Sequence, residues 1–428
     1  MPSAAAASIA EASSPVCKEW GAVGRTHLRR SLMIHQPCPT PPGNDHRQSG
    51  EMAEARPAPL STLLLQQLTA IPALAGAQAC ALLNHPSHGN LGDHLIWIAQ
   101  LHALEQQLGI PVGYAATPDR YCPRALQRGI GDQLIVLSGG GQLGDAWPHL
   151  EAFMERVVSS HRRNPLVIFP QSIHFRDPDR LQRAAAVLRS HPDLTLLLRD
   201  RKSFDLAQRH FSGVRLLLTP DMAFSLPLDA LGLDAAPLLM PGKPWLALGR
   251  RDRERLSSGW QGALDSFSPW VERSDWLPLE RGWIWGNPRL RFSRSAATGV
   301  REIVQRRLLH PRLALGRHQW LRRLPAEWQR RAQRSSLDRL SLGMVHLAVQ
   351  QLAGRQLVIT DRLHAVILAS LLGIPALALD NSTGKVNNFL RSWGAWLPQA
   401  QPVGADDLPH CLGQIAENAQ QAPPSLST

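Results

Sequence analysis

The sequence predicts an α/β protein built from two doubly wound parallel-sheet domains that face each other across a cleft. Short apolar runs alternate with helical patterns from about residue 79 onward, which is typical of strand–helix–strand units. The runs are apolar throughout, as expected for parallel strands covered by helices on both faces. A loop with four prolines over 227–244 divides the alternation into two series, and 428 residues suffice for two or three domains.

The first series forms the predicted N-terminal domain, residues 58–232. Residues 1–57 lack periodicity, and we expect a disordered extension in which Met33 and Met52 are alternative start sites. An amphipathic helical pattern over 59–75 leads into the domain. The predicted strands lie at 79–84, 133–138, 165–170, 194–199 and 214–219. The helical patterns between them lie at 93–108, 147–162, 177–190 and 200–210.

The second series forms the predicted C-terminal domain, residues 240–395. It contains an arginine-rich insertion over about 289–339 and is followed by a C-terminal helix and tail, residues 396–428. The predicted strands of this domain lie at 244–249, 356–360 and 374–379. The helical patterns lie at 336–353, at 362–372 and from 386 onward.

Almost all of the excess positive charge lies in the arginine-rich insertion. The net charge is +12, and residues 289–339 hold fourteen arginines, no lysine and three acids, which amounts to +11. Leucine and tryptophan, such as Trp320 and Trp328, are interleaved with the arginines. This pattern fits an amphipathic helix on an anionic membrane surface, and it equally fits a solvated arginine-rich insertion. Confinement of the charge to one segment makes a nucleic-acid partner the least favoured interpretation.

Three features of the sequence indicate a cytoplasmic protein. The five cysteines include no C-x-x-C pair, which excludes a disulfide scaffold and a zinc ribbon and fits a reducing compartment. The N-terminus lacks the order of a secretory signal. No apolar stretch approaches the roughly 18 residues of a membrane-spanning helix. We therefore expect a cytoplasmic protein that is peripheral at the inner membrane if the insertion binds lipid.

Two glycine-rich loops follow predicted strands, at the sheet edge where ligands bind in such folds. The first, "HPSHGNLGDHLI", contains Asn90 and Asp93, and the second, "GGGQLGDAW", begins with Gly139, Gly140 and Gly141. Consecutive glycines at the start of a helix let backbone N–H groups approach an anion. Neither loop is a Walker motif, and a tight turn without a ligand remains an equal alternative.

Cationic side chains also follow the strands. Arg199 ends one strand, Arg362 and His364 open the helix after the strand 356–360, and Lys385 lies on the neighbouring loop. Arginine binds carboxylate or phosphate groups bidentately, lysine adds a point charge, and histidine exchanges protons near neutral pH. The sequence therefore predicts a site for a small, multiply anionic ligand, with a structural network between the domains as the alternative.

Gln171 and Asp221 also follow strands, where they could shape an acceptor site or cap turns. No H-E-x-x-H motif occurs, and we predict no metal site. "GNLGD", "GGGQLGD", "FPQS", "LRDRKS", "PDMAF", "TDRLHAVILASLLGIP" and "LDNSTGKVNNF" follow one another in this order along the chain. This ordered series resembles the polysaccharide pyruvyl transferases, from about residue 79 to about residue 396.

The resemblance implies a fold like that of the two-domain GT-B glycosyltransferases. It also implies that the enolpyruvyl unit of phosphoenolpyruvate is transferred to a sugar of an exopolysaccharide or cell-surface glycan precursor, which forms a pyruvate ketal and releases phosphate. Phosphoenolpyruvate would be the donor substrate, with no cofactor, and the sugar acceptor could be lipid-linked.

The resemblance assigns roles by position. Arg199, Arg362 and Lys385 would bind the phosphate and carboxylate of the donor together with His364, which would also be the catalytic acid and base. The glycines of the second loop would add to the donor site; they are Gly139, Gly140 and Gly141. Asp93 is the candidate acceptor base. Three further residues would contact the acceptor or shape the site; they are Asn90, Gln171 and Asp221.

Two other functions remain open at this level. One is a GT-B glycosyltransferase that uses a nucleotide sugar, with Asp380 and Asn381 as the candidate ribose ligands. The other is a non-enzymatic protein that binds anionic surfaces through residues 289–339. The sequence leaves open the acceptor sugar, the ring positions bridged, the ketal stereochemistry and the oligomeric state.

Overall fold

The computed structural model describes residues 58–226, 228, 231, 245–251, 254–255, 259–276 and 324–421. Its first sheet contains seven parallel strands. They are β1 (Cys80–Leu83), β2 (Val112–Ala116), β3 (Leu134–Leu137), β4 (Gly140–Gly144), β5 (Leu166–His174), β6 (Leu194–Leu198) and β7 (Arg215–Leu218). The order is β2-β1-β3-β5-β6-β7, and β4 pairs with the second half of β5. Because all pairs are parallel, the carboxyl ends meet at one edge.

Helices alternate with these strands. They are α1 (Leu60–Thr69), α2 (Pro72–Ala75), α3 (Leu91–His102), α4 (Pro123–Ile130), α5 (Pro148–Ser160), α6 (Pro178–Ser190) and α7 (Arg201–His210). Proline is the first residue of α2, α4, α5 and α6, a position where its missing N–H costs no helical hydrogen bond. Asp177 and Asp200 cap α6 and α7 by accepting backbone N–H groups.

The second sheet contains five parallel strands in the order β12-β11-β10-β8-β9 within the described residues. They are β8 (Trp245–Leu248), β9 (Val271–Ser274), β10 (Leu357–Thr360), β11 (Ala376–Ala378) and β12 (Ala400–Pro402). The helices of this half are α8 (Ala326–Arg334), α9 (Ser336–Leu352), α10 (Leu363–Leu371) and α11 (Lys385–Trp393).

An apolar core runs without interruption between the two sheets. It includes Trp97 of α3, Met222 after β7, Leu342 of α9 and Val366 of α10. The other face of the first sheet has a separate apolar cluster under α4, α5 and α6. Both sheets belong to one compact unit, Ala53–Ala405, whereas α12 (Leu408–Gln421) belongs to the other unit.

The prediction of an α/β protein with two parallel sheets is confirmed. Four strands were not predicted: β2, β4, β9 and β12. β2 is a half-buried edge strand whose "VGYAA" sequence lacks an apolar run, and β4 contains the three glycines Gly140, Gly141 and Gly144, which favour a turn by composition. Residues 1–57 and the predicted boundary near 232–240 lie outside the described residues.

The described end of the arginine-rich insertion packs onto the protein. Leu324 and Trp328 are each 4% exposed and belong to the apolar core, and Arg331 binds Glu105 and Asp338. The expectation of a lipid-facing helix is therefore wrong for residues 324–339, and residues 289–323 lie outside the described part. None of the described helices has the length and apolar character needed to cross a membrane.

Candidate active site

Arg199, Asp221 and His364 form a buried cluster where the carboxyl ends of both sheets meet. Arg199 follows β6, Asp221 follows β7, and His364 lies in the first turn of α10 after β10. Arg199 Nη1 donates a hydrogen bond to Asp221 Oδ2 at 2.7 Å and lies 3.2 Å from His364 Nε2. His364 Nε2 is also 3.5 Å from Asp221 Oδ2. The cluster thus joins side chains from the two halves of the chain.

The Arg199 side chain is fixed from several directions. Its Nε donates to Ser172 Oγ at 2.9 Å, and the Ser172 hydroxyl donates to Asp200 Oδ2 at 2.7 Å. Trp393 Nε1 donates to the Arg199 carbonyl at 2.8 Å. Because Arg199 is only 2% exposed, these contacts hold a desolvated guanidinium in one orientation.

Asp221 is the negative charge of this cluster. Burial alone would raise the pKa of Asp221, but the hydrogen bond from His364 and the Arg199 guanidinium outweigh burial and hold the pKa well below its usual range. Its other carboxylate oxygen accepts the Ala223 N–H at 2.9 Å. Asp221 is therefore a permanent carboxylate against which the imidazole of His364 is placed.

His364 has a partner in either protonation state. When the imidazole is neutral at Nε2, this nitrogen accepts a hydrogen bond from Arg199 Nη1, which can only donate. When Nε2 carries a proton, it faces the Asp221 carboxylate at 3.5 Å. His364 Nε2 thus lies between a hydrogen-bond donor and a carboxylate oxygen, a placement that suits a group that gives and recovers a proton.

Lys385 forms a second charged cluster with residues that follow β8. Lys385 Nζ donates to Glu254 Oε1 at 2.7 Å, and Arg250 Nη2 lies 3.0 Å from Glu254 Oε2. Burial opposes ionisation of Glu254, but Lys385 and Arg250 lower the pKa of Glu254 to about 2. Burial also lowers the pKa of Lys385, and Glu254 opposes this shift.

Two glycines bring the loops of the first sheet against these charges. A Cβ atom on Gly141 would lie 2.6 Å from Lys385 Nζ and 3.3 Å from Arg199 Nη2, so both cations converge on this residue. A Cβ atom on Gly92 would lie 2.3 Å from His364 Nδ1. Only glycine permits such close approach of the backbone.

Asp93 lies beside this site at the start of α3. Asn90 Nδ2 donates to Asp93 Oδ2 at 2.9 Å, and His88 Nε2 is 3.4 Å from the same oxygen. Asn90 Oδ1 also caps α3 by accepting the Gly92 N–H at 3.4 Å. A Cβ atom on Gly140 would lie 3.9 Å from Asp93 Oδ1, which places this carboxylate next to the second glycine loop.

Arg362 is directed at a buried acid. Its guanidinium binds Asp275, which follows β9, with Nε donating to Oδ1 at 2.8 Å. Arg362 is 2% exposed, and its backbone N–H donates to Thr360 Oγ1 at 3.0 Å. These contacts fix the start of α10, two residues before His364.

Gln171 and Gly139 hold the second glycine loop next to β5. Gln171 Nε2 donates to the Ser138 carbonyl at 2.8 Å, and its Oε1 accepts the Gln142 N–H at 3.2 Å. A Cβ atom on Gly139 would lie 2.9 Å from the Pro170 carbonyl oxygen. Both residues brace β4 against β5 in this structure.

A sequence profile of the family described as Polysaccharide pyruvyl transferase matches residues 90–272 and 345–383, more than half of the chain. The chain belongs to the polysaccharide pyruvyl transferase family. The matched ranges include Asn90 and Asp93 of the first glycine loop, the whole second glycine loop, Arg199, Asp221 and His364.

Two named relatives agree with the family. The chain is 27% identical to a Bacillus subtilis protein named "Putative pyruvyl transferase EpsO" over 75% of this chain and 87% of that protein. It is also 27% identical to "Pyruvyl transferase 1" of Schizosaccharomyces pombe, over 74% of this chain and 70% of that protein. A crystal structure of an uncharacterized Klebsiella pneumoniae protein is similar, with a TM-score of 0.48 and 17% identity, over 80% of this chain and 98% of that one.

In this member of the family, two of the predicted cations are paired with acids that the sequence analysis did not identify. Lys385 binds Glu254, and Arg362 binds Asp275. Glu254 lies in the charged run "GRRDRERL", which reads as a solvated surface, and Asp275 belongs to no motif. Glu254 and Arg250 follow the strand β8, and this position is the one sequence signal that could have identified these two residues. No cluster of three or more metal-binding side chains occurs among the described residues.

Proposed function

We propose that this protein transfers the pyruvyl group of phosphoenolpyruvate to a sugar of an exopolysaccharide or cell-surface glycan precursor, forming a cyclic ketal and releasing phosphate. The observation that supports this most is the contact of Arg199, Asp221 and His364 at 2.7–3.5 Å, beside Lys385. It combines anion-binding groups with a proton carrier in one buried place. The proposed overall layout is GT-B-like, with donor and acceptor between the two sheets.

The donor would bind where Lys385 and Arg199 converge on Gly141. Arg199 and Lys385 suit the phosphate and carboxylate groups of a small anion. Asn381 adds a donor at the start of α11: its Oδ1 accepts the Lys385 N–H, and its buried Nδ2 has no hydrogen-bond partner among the described residues. An anion at this helix start would satisfy that donor.

His364 would act as the acid and base of the reaction. Protonated at Nε2, it gives its proton to the methylene carbon of phosphoenolpyruvate, which leaves an oxocarbenium-like centre at the carbon that bears the phosphate. A sugar hydroxyl attacks this centre and loses its proton, and we assign that proton to Asp93. A second hydroxyl then displaces phosphate and closes the ketal. Its proton returns to His364, and the departing phosphate takes the proton that Asp93 received. Preorganised cations at the departing phosphate lower the barrier.

We place the reaction in the cytoplasm, without a cofactor, on an acceptor that is lipid-linked. Residues 289–323 would then hold the enzyme at the inner leaflet, because the arginines of this segment bind anionic headgroups and Trp320 inserts at the interface. Loss of flotation with anionic liposomes after neutralising these arginines is the expected result. Unchanged flotation at moderate salt would exclude this membrane role.

A cavity of about 230 Å³ beyond β11 and β12 favours a second candidate, a glycosyltransferase that uses a nucleotide sugar. Asp380 lines this cavity and would be the ribose ligand. However, Asp380 Oδ1 already accepts the N–H groups of Asn381 and Asn387, at 2.9 and 3.3 Å. The carboxylate thus works as a local cap, which favours pyruvyl transfer.

A ligand comparison tests the proposed function. Thermal unfolding is measured with phosphoenolpyruvate and, separately, with nucleoside diphosphates. A rise in Tm with phosphoenolpyruvate alone supports pyruvyl transfer, and a rise with nucleoside diphosphates alone supports the glycosyltransferase. Incubation with phosphoenolpyruvate and glycan precursors should then release phosphate and produce a 1-carboxyethylidene signal.

A further inference from the structure

The Glu254 carboxylate lies inside the proposed anion site. Its two oxygens contact Lys385 Nζ at 2.7 Å and Arg250 Nη2 at 3.0 Å, and the residue is only 5% exposed. Two cations that flank a carboxylate in this way are what a carboxylate or phosphate of a ligand would need. The Glu254 carboxylate therefore occupies the position where a carboxylate or phosphate of the donor is expected to bind.

A second anion that binds these cations would be repelled by the carboxylates already paired with them. Lys385 Nζ is also directed at Gly141, beside Arg199 Nη2, so a donor at Gly141 would lie close to the Glu254 carboxylate. Arg199 is itself paired with Asp221. A trianionic donor would therefore meet two carboxylates among three cations, and like charges at short range in a buried site repel strongly.

Protonation does not readily remove this repulsion, because Lys385 and Arg250 hold the pKa of Glu254 at about 2. Movement of the side chain is the remaining route. The backbone stays in place, since the Glu254 carbonyl accepts the Ser382 N–H at 3.1 Å and the Arg250 N–H donates to Asp361 Oδ1 at 2.9 Å. Rotation about the side-chain bonds of Glu254, which would also break its hydrogen bond with the Trp147 side chain, would free both cations.

We propose that Glu254 is a specificity-determining residue, an internal counter-ion that the donor must displace from Lys385 and Arg250. The inference rests on the proposed function and adds Arg250 to the groups that bind the donor. A monoanionic carboxylate such as pyruvate replaces one carboxylate by another and gains little. A trianionic donor brings more charge than it displaces, so the exchange selects for phosphoenolpyruvate.

Substitution of Glu254 by an uncharged side chain of the same shape tests this. Glu254→Gln and the unaltered protein are titrated with phosphoenolpyruvate and with pyruvate by calorimetry at constant low ionic strength. We expect E254Q to bind phosphoenolpyruvate at least fivefold more tightly, and to bind pyruvate measurably. In turnover the KM for phosphoenolpyruvate should fall by a similar factor without a rise in kcat, which a merely structural role of Glu254 would not produce.

Two further variants complete the experiment. Asp265→Asn removes an exposed acid of the same half, paired with Arg273 at 2.6 Å, and should leave both affinities unchanged. If E254Q does not fold, Glu254→Asp replaces it; the shorter acid cannot reach both cations, and tighter binding of phosphoenolpyruvate is again expected. Equal or weaker binding by the folded variant overturns the counter-ion role alone. Absence of phosphoenolpyruvate binding by the unaltered protein overturns the proposed function, and the counter-ion role with it.

Discussion

Gly92→Ala is the smallest change that should separate His364 from its partners. The added Cβ atom would lie 2.3 Å from His364 Nδ1, 2.7 Å from Cγ and 2.8 Å from Cβ, whereas ordinary contacts begin at 3.4 Å. The imidazole must therefore move by about 1 Å, and rotation about its own bonds does not suffice because its Cβ atom is also too close. A misplacement of about 1 Å at a reacting group can cost on the order of 100-fold in rate.

The fold itself should tolerate this change. Gly92 lies in the first turn of α3, where alanine is the better helix former by up to about 1 kcal/mol. We expect kcat/KM for pyruvyl transfer, followed by phosphate release, to fall about 100-fold while the circular dichroism spectrum stays unchanged. Gly262→Ala is the matched control, because nothing lies within 4 Å of its added Cβ atom. Activity of G92A within threefold of that of G262A would refute the placement of His364 in the reaction.

Three further predictions follow from the same geometry. His364→Ala should lower kcat by at least about 100-fold with little loss of folding, as expected for an acid–base group; a normal kcat would assign the proton transfer elsewhere. Gly141→Ala should raise the KM for phosphoenolpyruvate roughly tenfold, about 1.4 kcal/mol, because its Cβ atom would displace Lys385 Nζ; a change in kcat alone would contradict a donor role for Lys385. Because Glu254 has a folded-state pKa of about 2, below its usual 4.5, its contribution to stability is complete above pH 4.5 and is lost as the pH falls toward 2. The difference in unfolding free energy between the unaltered protein and E254Q, measured by urea denaturation, should therefore shrink over this range, and a constant difference would exclude the ion pair as its source.

The positions of Arg199, His364 and Lys385 followed from sequence because parallel strands bring their carboxyl ends to one edge. The ends of the strands place His364 and Lys385 at one edge of the second sheet, and the expectation that the two sheets face each other across a cleft adds Arg199 from the first. Glu254 and Asp275 escaped the same reasoning because Glu254 lies in a run of charged residues and Asp275 follows β9, a strand that was not predicted. A charged run has the same local pattern whether water or a buried lysine is its partner.

The arginine-rich insertion shows a similar limit. Apolar and basic residues at helical spacing describe a helix on a membrane and a helix packed on a protein core equally well. Tertiary contacts show that α8 is packed on the protein core. Trp328 enters the apolar core, and Arg331 binds Glu105 beside α3 and Asp338 of α9. No property of residues 326–334 alone would distinguish the two cases.

The contact between Arg199 and His364 depends on the way α3 is held. Trp97 of α3 donates to Asp338 of α9 at 3.0 Å, and His94 Nδ1 lies 2.9 Å from Ser341 Oγ. His94 Nε2 must donate to the His88 carbonyl at 2.7 Å, since a carbonyl only accepts, so Nδ1 receives the Ser341 proton.

Burial lowers the pKa of His94 well below its usual range, which keeps this arrangement neutral. Because Gly92 in the same helix touches His364, the packing of α3 on α9 and α10 sets the distance between the imidazole and the first sheet. Closure of one half over the other is therefore not needed to bring His364 to Arg199. If the counter-ion proposal holds, the Glu254 side chain is the one group that the donor must move, so a substitution there should change affinity and leave the Arg199–His364 contact intact.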